Sequence, residues 1–300
     1  MSMLVQILST RFATDNGPMT LIHSTEQLAI WRSSILDQTI AFVPTMGALH
    51  EGHIALIKRA AEQCDIVVVS VFVNALQFGD SSDFDRYPRS IESDHELSSA
   101  AGASIVFAPT TVEMFPPNFD NYVTPSPIAE QFEGASRPGH FAGVVTVVNR
   151  LFDLVQPHTA IFGAKDYQQV AVIRDMARAL HPSLRILCSE TIRDSDGLAL
   201  SSRNSRLSPL ARAKAVVIPN ALFALRSAFN AGQLDCATLV QVARNILDTE
   251  QELAVEYLVV VDSQTLKCHV DVVAKDSIVL FAGIIDGVRL IDNIELKLFA

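Results

Sequence analysis

The chain has 300 residues, of which 49% are hydrophobic and 19% are charged, and its formal net charge at pH 7 is −10. The length predicts two domains, and the composition is typical of a globular protein with a sizeable core and excludes a disordered chain. The negative charge argues against a nucleic acid as the main partner, because phosphate backbones are bound by clustered lysines and arginines. A small anionic ligand is compatible with this balance, since a local site can be positive within an acidic surface.

The cysteines and the apolar runs indicate the compartment. Cys64, Cys188, Cys236 and Cys268 lie far apart without C-x-x-C spacing. The sequence therefore predicts neither a zinc site nor a redox pair, and buried thiols in a reducing cytosol are expected. No apolar run approaches the ~18 to 20 residues that span a bilayer. The apolar segment 1–8 is not preceded by basic residues, so it makes a poor signal peptide. We therefore expect a cytoplasmic protein without membrane contact.

Helix and strand patterns alternate over the first two thirds of the chain. Residues 1–19 match no clear element. Strands that alternate with helices imply right-handed crossovers and an open parallel sheet, in which runs that are apolar on both faces are covered by helices. Apolar spacing predicts, in chain order, a helix capped by Ser24 or Thr25 that extends to 35, a strand at 39–43, a helix at 54–64, a strand at 65–74, a helix at 92–101, a strand at 104–109, a helix at 143–155, a strand at 159–163, a helix at 167–180 and a strand at 184–188.

The pattern changes after about residue 191. Two helical patterns at 209–230 and 236–252 are followed by strand patterns at 255–261, 278–285 and 288–294. This order is typical of an α+β domain. We therefore predict an α/β fold with a Rossmann-like open parallel sheet at 1–191, including residues 1–19, and a smaller C-terminal α+β domain at 192–300.

The most informative segment is FVPTMGALHEGH, from Phe42 to His53, in which a buried strand ends in a glycine-bearing turn before a helix. The first N–H groups of a helix lack intrahelical partners and its dipole favours negative charge, so such a junction can bind an anion. Gly47 lets the backbone approach a ligand closely, and His50 and His53 share one face of the helix. Two other interpretations stay open: ordinary structural histidines beside turn glycines, and a metal site, although the zincin motif needs histidines four residues apart.

Two further polar clusters, at 74–78 and 163–169, follow predicted strands. Because ligands bind at the carboxyl ends of parallel strands, we expect both clusters to meet the histidine turn in one crevice. In isolation each of these side chains would be interpreted as a surface residue. Together they suit a nucleotide and a polar acid. Lys165 can bind a phosphate, and Asp166 can bind a ribose hydroxyl or cap a helix. The side-chain amides of Gln77 and Gln169 can bind a substrate that has hydroxyls and a carboxylate.

The segment DGLALSSRN at 196–204 lies at the predicted domain junction. Ser201, Ser202 and Arg203 offer hydroxyls and a guanidinium to phosphate oxygens, and an arginine can neutralise charge that develops on a transferring phosphoryl group. An ordinary polar loop has the same composition, and spacing alone does not distinguish the two.

Taken together, these motifs resemble the pantothenate synthetase family of the nucleotidyltransferase superfamily that carries HIGH-type motifs. The similarity covers about Thr20 to the C-terminus, is very specific in the first domain, and is weaker in the second, where EYLVVVD at 256–262 is the clearest part. The matching segments follow the family's order: PTMGALHEGH at 44–53, FVN at 72–74, FDRYPR at 84–89, RPGHF at 137–141, FGxKDxQQ at 162–169, VIR at 172–174 and GLALSSRN at 197–204.

The resemblance implies an ATP-dependent condensation of pantoate with β-alanine to pantothenate through pantoyl adenylate, with release of AMP and pyrophosphate. It also implies a homodimer, and it implies that residues 1–19 are an N-terminal extension, because family members usually begin close to the position of Met19. The catalytic positions that it implies are His50, His53, Lys165 and Arg203. It implies ATP contacts by these four and by Met46, Gly47, Gly163, Asp166, Ile192, Leu200, Ser201 and Ser202, a pantoate pocket of Met46, Asn74, Gln77 and Gln169, and a place near Mg²⁺ for Asp94.

Three positions depart from the family pattern. Ala75 replaces a proline that would restrict φ in the Gln77 loop, Ala164 replaces a glutamate, and Leu200 replaces a methionine of similar volume. The alternative functions are another HIGH-type nucleotidyltransferase, such as a nicotinate or phosphopantetheine adenylyltransferase, and a catalytically silent nucleotide-binding or metal-binding protein. The former share the histidine pair but lack Gln77 and the segments 137–141 and 162–169.

Overall fold

A computed structural model of the chain describes residues 19–79 and 84–298. The interpretation of 1–18 as an extension therefore lies outside the described residues. The chain divides into two compact units: the first takes in the chain up to Gly163 together with Val172–Ser189, and the second takes Ala164–Ala171 together with the chain from Glu190 onward. None of the helices in the described ranges is long and apolar enough to cross a membrane.

The first unit is built on a six-stranded parallel sheet, which confirms the predicted fold class. Its spatial order is β1-β4-β3-β2-β5-β6. The chain moves from β2 through β3 to β4 on one side and then returns to the other side of β2, so the order reverses between β2 and β5. This is the switch point where open parallel sheets bind ligands. The strands are β1 (Thr20–Ile22), β2 (Ile40–Thr45), β3 (Ile66–Val71), β4 (Ile105–Phe107), β5 (Thr159–Gly163) and β6 (Arg185–Ser189).

The helices largely follow the predicted positions. Ser24 caps the first of them, because its hydroxyl accepts a hydrogen bond from the Gln27 N–H at 3.1 Å. The helices of the described residues include α1 (Thr25–Ser33), α2 (Glu51–Ala61), α3 (Ile91–Ala100), α4 (Thr111–Met114), α5 (Glu133–Ser136), α6 (His140–Val155), α7 (Tyr167–Leu180), α8 (Pro209–Lys214), α9 (Val217–Asn230) and α10 (Cys236–Leu247).

Alternate side chains of β2 pack on the two faces of the parallel sheet. Ala41 and Val43 belong to a buried apolar cluster that includes Ile57 of α2. The Phe42 ring instead meets Phe152 of α6 edge-on, with ring centroids 6.2 Å apart. The continuous apolar runs of β2 and β3 therefore arise because helices cover both faces of the sheet.

The second unit contains an antiparallel sheet in the order β7-β8-β9, as expected for a smaller α+β domain. Its core lies between this sheet and the helices α9 and α10. The predicted helix at 209–230 is divided into α8 and α9, because Pro219 has no N–H with which to continue a helix and is accommodated in the first turn of a new one. The strands are β7 (Ala254–Asp262), β8 (Ser277–Ile285) and β9 (Val288–Leu296).

The segment Ala164–Ala171, which the sequence analysis assigns to the domain 1–191, is grouped with the second unit. Asn293 of β9 donates from its side-chain amide to the carbonyl groups of Ala164 and Lys165, each at 2.8 Å. The Tyr167 hydroxyl donates to the carbonyl of Ser263 at 2.9 Å. These contacts with the later part of the chain explain the assignment of this segment.

Candidate active site

The turn after β2 is shaped by positive φ angles and by one buried carboxylate. Gly47 has a φ of +79° and Ala48 a φ of 51°. A Cβ on Gly47 would lie 2.7 Å from Asp94 Oδ2 and 2.9 Å from Val71 Cγ1, so only glycine fits here. The Ala48 N–H donates to Asp94 Oδ2 at 3.0 Å, and the Leu49 N–H donates to Asp94 Oδ1 at 2.8 Å. The backbone of the turn is thus held by a side chain of α3.

His50 and His53 cap helix α2 with their imidazole rings. His50 Nδ1 accepts from the Gly52 N–H at 3.1 Å, and His53 Nδ1 accepts from the His50 N–H at 3.3 Å. The ring centroids are 4.2 Å apart. Because a backbone N–H only donates, both Nδ1 atoms are unprotonated, and each neutral ring carries its hydrogen on Nε2. The start of α2 therefore carries two imidazole N–H donors of defined tautomer.

This geometry favours an anion over a metal ion at the start of α2. The helix dipole and the two Nε2–H groups all favour negative charge at this point. Among the residues that the structure describes, no group of three or more histidine, cysteine, aspartate and glutamate side chains could hold a metal ion. The histidine turn therefore suits phosphate oxygens.

Asp94 is predicted to lie near Mg²⁺, and this role stays a prediction. Its residue is 1% exposed. Each of its carboxylate oxygens accepts one N–H group of the turn. The contacts show a structural role, in which Asp94 holds the turn that leads into His50.

Asp94→Asn is expected to lower the free energy of unfolding by about 2 to 3 kcal/mol, because an amide NH₂ would then face a backbone N–H that has lost its charged acceptor. Urea unfolding measures this change, and the Mg²⁺ dependence of the reaction rate is measured on the same sample. Asp65→Asn is the matched control, because Asp65 also accepts a backbone N–H, that of Thr39, but is exposed. An unchanged unfolding free energy combined with a raised Mg²⁺ requirement would instead identify a metal ligand.

A cluster of buried side-chain amides follows β3. This strand pairs with β2, the strand that leads into the histidine turn. Asn74 Nδ2 donates to Gln77 Oε1 at 3.2 Å and to the Gly143 carbonyl at 3.0 Å. Gln77 Nε2 lies 3.0 Å from Met46 Sδ. The structure thus brings Met46, Asn74 and Gln77 together, as expected for residues at neighbouring strand ends, and their role toward pantoate stays a prediction.

Two side chains that the sequence analysis does not assign to the site hold the carbonyl of Gln77. His140 Nδ1 lies 2.8 Å from this oxygen, and Arg137 Nη2 donates to it at 3.4 Å. Arg137 Nη1 lies 3.0 Å from His140 Nε2. Since a carbonyl only accepts and a guanidinium only donates, His140 is neutral with its hydrogen on Nδ1. The RPGHF segment is the sequence signal for these residues.

Gly143 completes the support of the Gln77 turn. A Cβ on Gly143 would lie 2.3 Å from the Leu76 carbonyl oxygen and 2.6 Å from the Gln77 nitrogen, so glycine allows α6 to approach the turn this closely. Asn74 also caps the turn by accepting the Leu76 N–H at 3.2 Å. These contacts hold the loop in a chain that has Ala75 in place of the family's usual proline.

Lys165 lies in the short helical turn Ala164–Asp166, which follows β5 in the chain. Its Nζ is 3.8 Å from Asp166 Oδ1, and the two side chains are 19% and 49% exposed. An ion pair this long and this exposed restrains the lysine only weakly. A Cβ on Gly163 would meet no described atom within 4 Å, and Gln169 is half-buried in α7.

The segment Ser201–Arg203 follows a tight antiparallel turn. Arg193 pairs with Ala199, and the Leu200 N–H donates to the Ile192 carbonyl at 2.9 Å. Ser201 Oγ accepts from the Arg203 N–H at 3.2 Å, which starts the helical turn Ser202–Arg206. The predicted phosphate donors therefore lie at a defined backbone turn, while their contact with ATP stays a prediction.

The fold and the first unit's site define an open parallel α/β protein with a HIGH-type histidine motif at the carboxyl edge of its sheet. The family comparison is more specific. The chain belongs to the pantoate-β-alanine ligase family, whose model matches residues 20–295.

The relatives agree with this assignment. Pantothenate synthetase 1 of Bradyrhizobium diazoefficiens is 45% identical over 261 residues, which are 87% of this chain and 92% of that protein. A crystal structure of pantothenate synthetase from Thermus thermophilus has a TM-score of 0.88 and 43% identity, covering 93% of this chain and 100% of that one. The pantoate-β-alanine ligase of Francisella tularensis, complexed with beta-gamma ATP and beta-alanine, has a TM-score of 0.75 and 32% identity, covering 92% and 97%. The resemblance seen in the motifs is confirmed.

Proposed function

We propose that this chain catalyses the ATP-dependent condensation of pantoate with β-alanine to pantothenate. One observation carries the proposal: the same unit contains both the histidines that cap the helix after β2 and the cluster of Met46, Asn74 and Gln77. Membership of the pantoate-β-alanine ligase family supports the same reaction. The two compounds bound to the Francisella relative support ATP and β-alanine as substrates.

The reaction requires two steps, because a carboxylate resists attack by an amine when the leaving group would be oxide. In the first step, a pantoate carboxylate oxygen bonds to the α-phosphorus of ATP, and the bond from that phosphorus to the β-phosphate oxygen breaks to release pyrophosphate. In the second step, the neutral amine of β-alanine bonds to the acyl carbon. The carbon–oxygen bond to AMP breaks, the nitrogen loses one proton, and pantothenate and AMP leave.

The proposed contribution of the protein is positioning and charge neutralisation, as in phosphoryl transfer generally. The Nε2–H groups of His50 and His53 donate to phosphate oxygens as charge develops on them. Lys165, Ser201, Ser202 and Arg203 also bind phosphate oxygens, and Mg²⁺ enters as part of the Mg·ATP substrate. The amides of the buried cluster and of Gln169 bind pantoate, while Gly163, Asp166 and Ile192 contact the adenosine.

Exchange of labelled pyrophosphate into ATP tests the proposed function, because it reports adenylate formation without β-alanine. We expect exchange that depends on pantoate. Exchange without pantoate, supported instead by nicotinate mononucleotide or phosphopantetheine, would favour another HIGH-type nucleotidyltransferase. ATP binding without any exchange would favour a catalytically silent nucleotide-binding protein.

We also propose a homodimer and a cytoplasmic location. The homodimer follows from the family resemblance, and static light scattering tests it, since a monomer mass at the assay concentration would contradict it. The location is supported by the wide spacing of the four cysteines in the sequence, which is typical of a chain without a disulfide framework. The expectation that the thiols are buried is correct only for Cys236, because Cys64 and Cys188 are half-buried and Cys268 is exposed. Fractionation of the cells tests the location.

A further inference from the structure

Two neighbouring residues of β9 each bind a different loop of the second unit. Asn293 uses both hydrogens of its side-chain amide, one for the carbonyl of Ala164 and one for the carbonyl of Lys165, each at 2.8 Å. The Asp292 carboxylate accepts hydrogen bonds from both terminal nitrogens of Arg193, at 2.7 and 2.8 Å. The Asp292 and Asn293 residues are only 4% and 5% exposed. Both contacts are therefore buried and geometrically specific.

Arg193 links these two contacts into one network. In addition to Asp292, it donates to the Gly197 carbonyl at 2.9 Å and to the Asn293 carbonyl at 3.0 Å. A bidentate arginine–carboxylate pair fixes the orientation of both partners. The hydrogen bond to the Asn293 main chain therefore connects the arginine directly to the residue that holds Lys165.

The network ends at the two segments that are proposed to bind phosphate. Arg193 lies in the turn that leads through Leu200 into Ser201–Arg203, and Asn204 Nδ2 closes this turn by donating to the Ala199 carbonyl at 3.0 Å. On the other side, Asn293 holds the main chain of Lys165 itself. The ion pair of the Lys165 side chain with Asp166 is long, so the main-chain anchor determines where Nζ can reach.

We propose that Asp292 and Asn293 are positioning residues that hold Lys165 and the Ser201–Arg203 segment in a fixed mutual arrangement for the phosphates of ATP. This positioning role rests on the proposed function in one respect, namely that ATP is the ligand. The geometry matters because a displacement of about 1 Å in a contacting group can cost roughly 100-fold in rate. Neither residue needs to touch the substrate.

Asn293→Leu tests the proposal, because leucine has a similar volume but no hydrogen-bond donors. The dissociation constant of Mg·ATP is measured by calorimetry and the pantoate-dependent pyrophosphate exchange rate by label, both at a temperature where circular dichroism shows the folded state. We expect roughly 10-fold weaker Mg·ATP binding and a roughly 100-fold slower exchange. Ser277→Ala, in the neighbouring strand β8, is the matched control, since it removes the part-buried hydrogen bonds of the serine hydroxyl with His269 and with the Lys275 carbonyl without touching Lys165. Its melting temperature should fall without a change in Mg·ATP binding.

A double-mutant cycle separates positioning from general stabilisation. If Asn293 acts through Lys165, Asn293→Leu should add much less than its own effect on Mg·ATP binding in a Lys165→Met background, so the two changes should not be additive. Additive effects, or Mg·ATP binding in Asn293→Leu equal to that of the unaltered protein, would overturn the proposal. If the unaltered protein binds Mg·ATP but shows no pantoate-dependent exchange, the proposed function fails while the binding data still decide the role of Asn293. Absence of Mg·ATP binding by the unaltered protein would overturn both.

Discussion

Replacing His50 by alanine is expected to lower kcat for adenylate formation by ~100-fold or more, because its Nε2–H is proposed to donate to phosphate oxygens as charge develops in the transition state. The structure shows that His50 also caps α2 by accepting the Gly52 N–H. Loss of this cap should cost about 1 kcal/mol of unfolding free energy, so alanine combines two effects. Pyrophosphate exchange measures the first, and urea unfolding measures the second.

His50→Asn separates catalysis from capping. Asparagine is a good helix cap and can accept the same N–H, but it has no imidazole Nε2–H. We therefore expect His50→Asn to recover the unfolding free energy while its kcat stays ~100-fold low. A variant with normal turnover would refute the proposed phosphate role, and one that is unstable yet fully active when folded would show that the ring serves only as a cap.

Lys165→Met is expected to lower kcat for adenylate formation by ~100-fold or more and to weaken Mg·ATP binding, because methionine keeps most of the aliphatic length and removes the positive charge. The unfolding free energy should change little, since the 3.8 Å pair with Asp166 is partly exposed and such pairs contribute little. Stopped-flow or quenched measurement of adenylate formation at saturating ATP gives kcat, and ATP titration gives KM.

Lys58→Met is the matched control for this charge change. Lys58 is an exposed lysine in the last turn of α2, with no proposed contact to a substrate. If Lys58→Met and Lys165→Met lower the exchange rate equally, the effect of Lys165 reflects net charge and not a local contact. A lowered rate for Lys165→Met alone supports the proposed site.

The backbone elements with strong apolar patterns could be predicted from the sequence. The strand at 159–163 and the helix at 167–180 have the bounds that were predicted for them. In these elements the local pattern and the tertiary environment favour the same conformation, so the apolar spacing alone indicates the structure. The division of 209–230 could also have been found, because Pro219 is visible in the sequence.

Other elements depend on partners that are distant in the chain. Strand β1 has three residues and exists as a strand through its pairing with β4, about which a local pattern carries no information. Helix α2 begins at Glu51 and not at the predicted residue 54, because His50, an uncommon cap residue, starts it. Helix α6 begins at His140 and not at the predicted residue 143. The local pattern does not show this start, because the buried imidazole ring of His140 depends on its contact with the Gln77 carbonyl.

The sequence by itself determined the chemical groups and their local setting: a glycine turn with two histidines between a strand and a helix, amides after one strand and a lysine after another. Only the tertiary structure decided which nitrogen of each histidine carries the hydrogen, that Asp94 holds the turn, and that Asn293 anchors Lys165. The Asp94 and Asn293 contacts join residues 45 and 128 positions apart in the chain. Residue spacing records what lies within a few turns of helix or one strand, whereas hydrogen bonds across such separations exist only after the chain has packed.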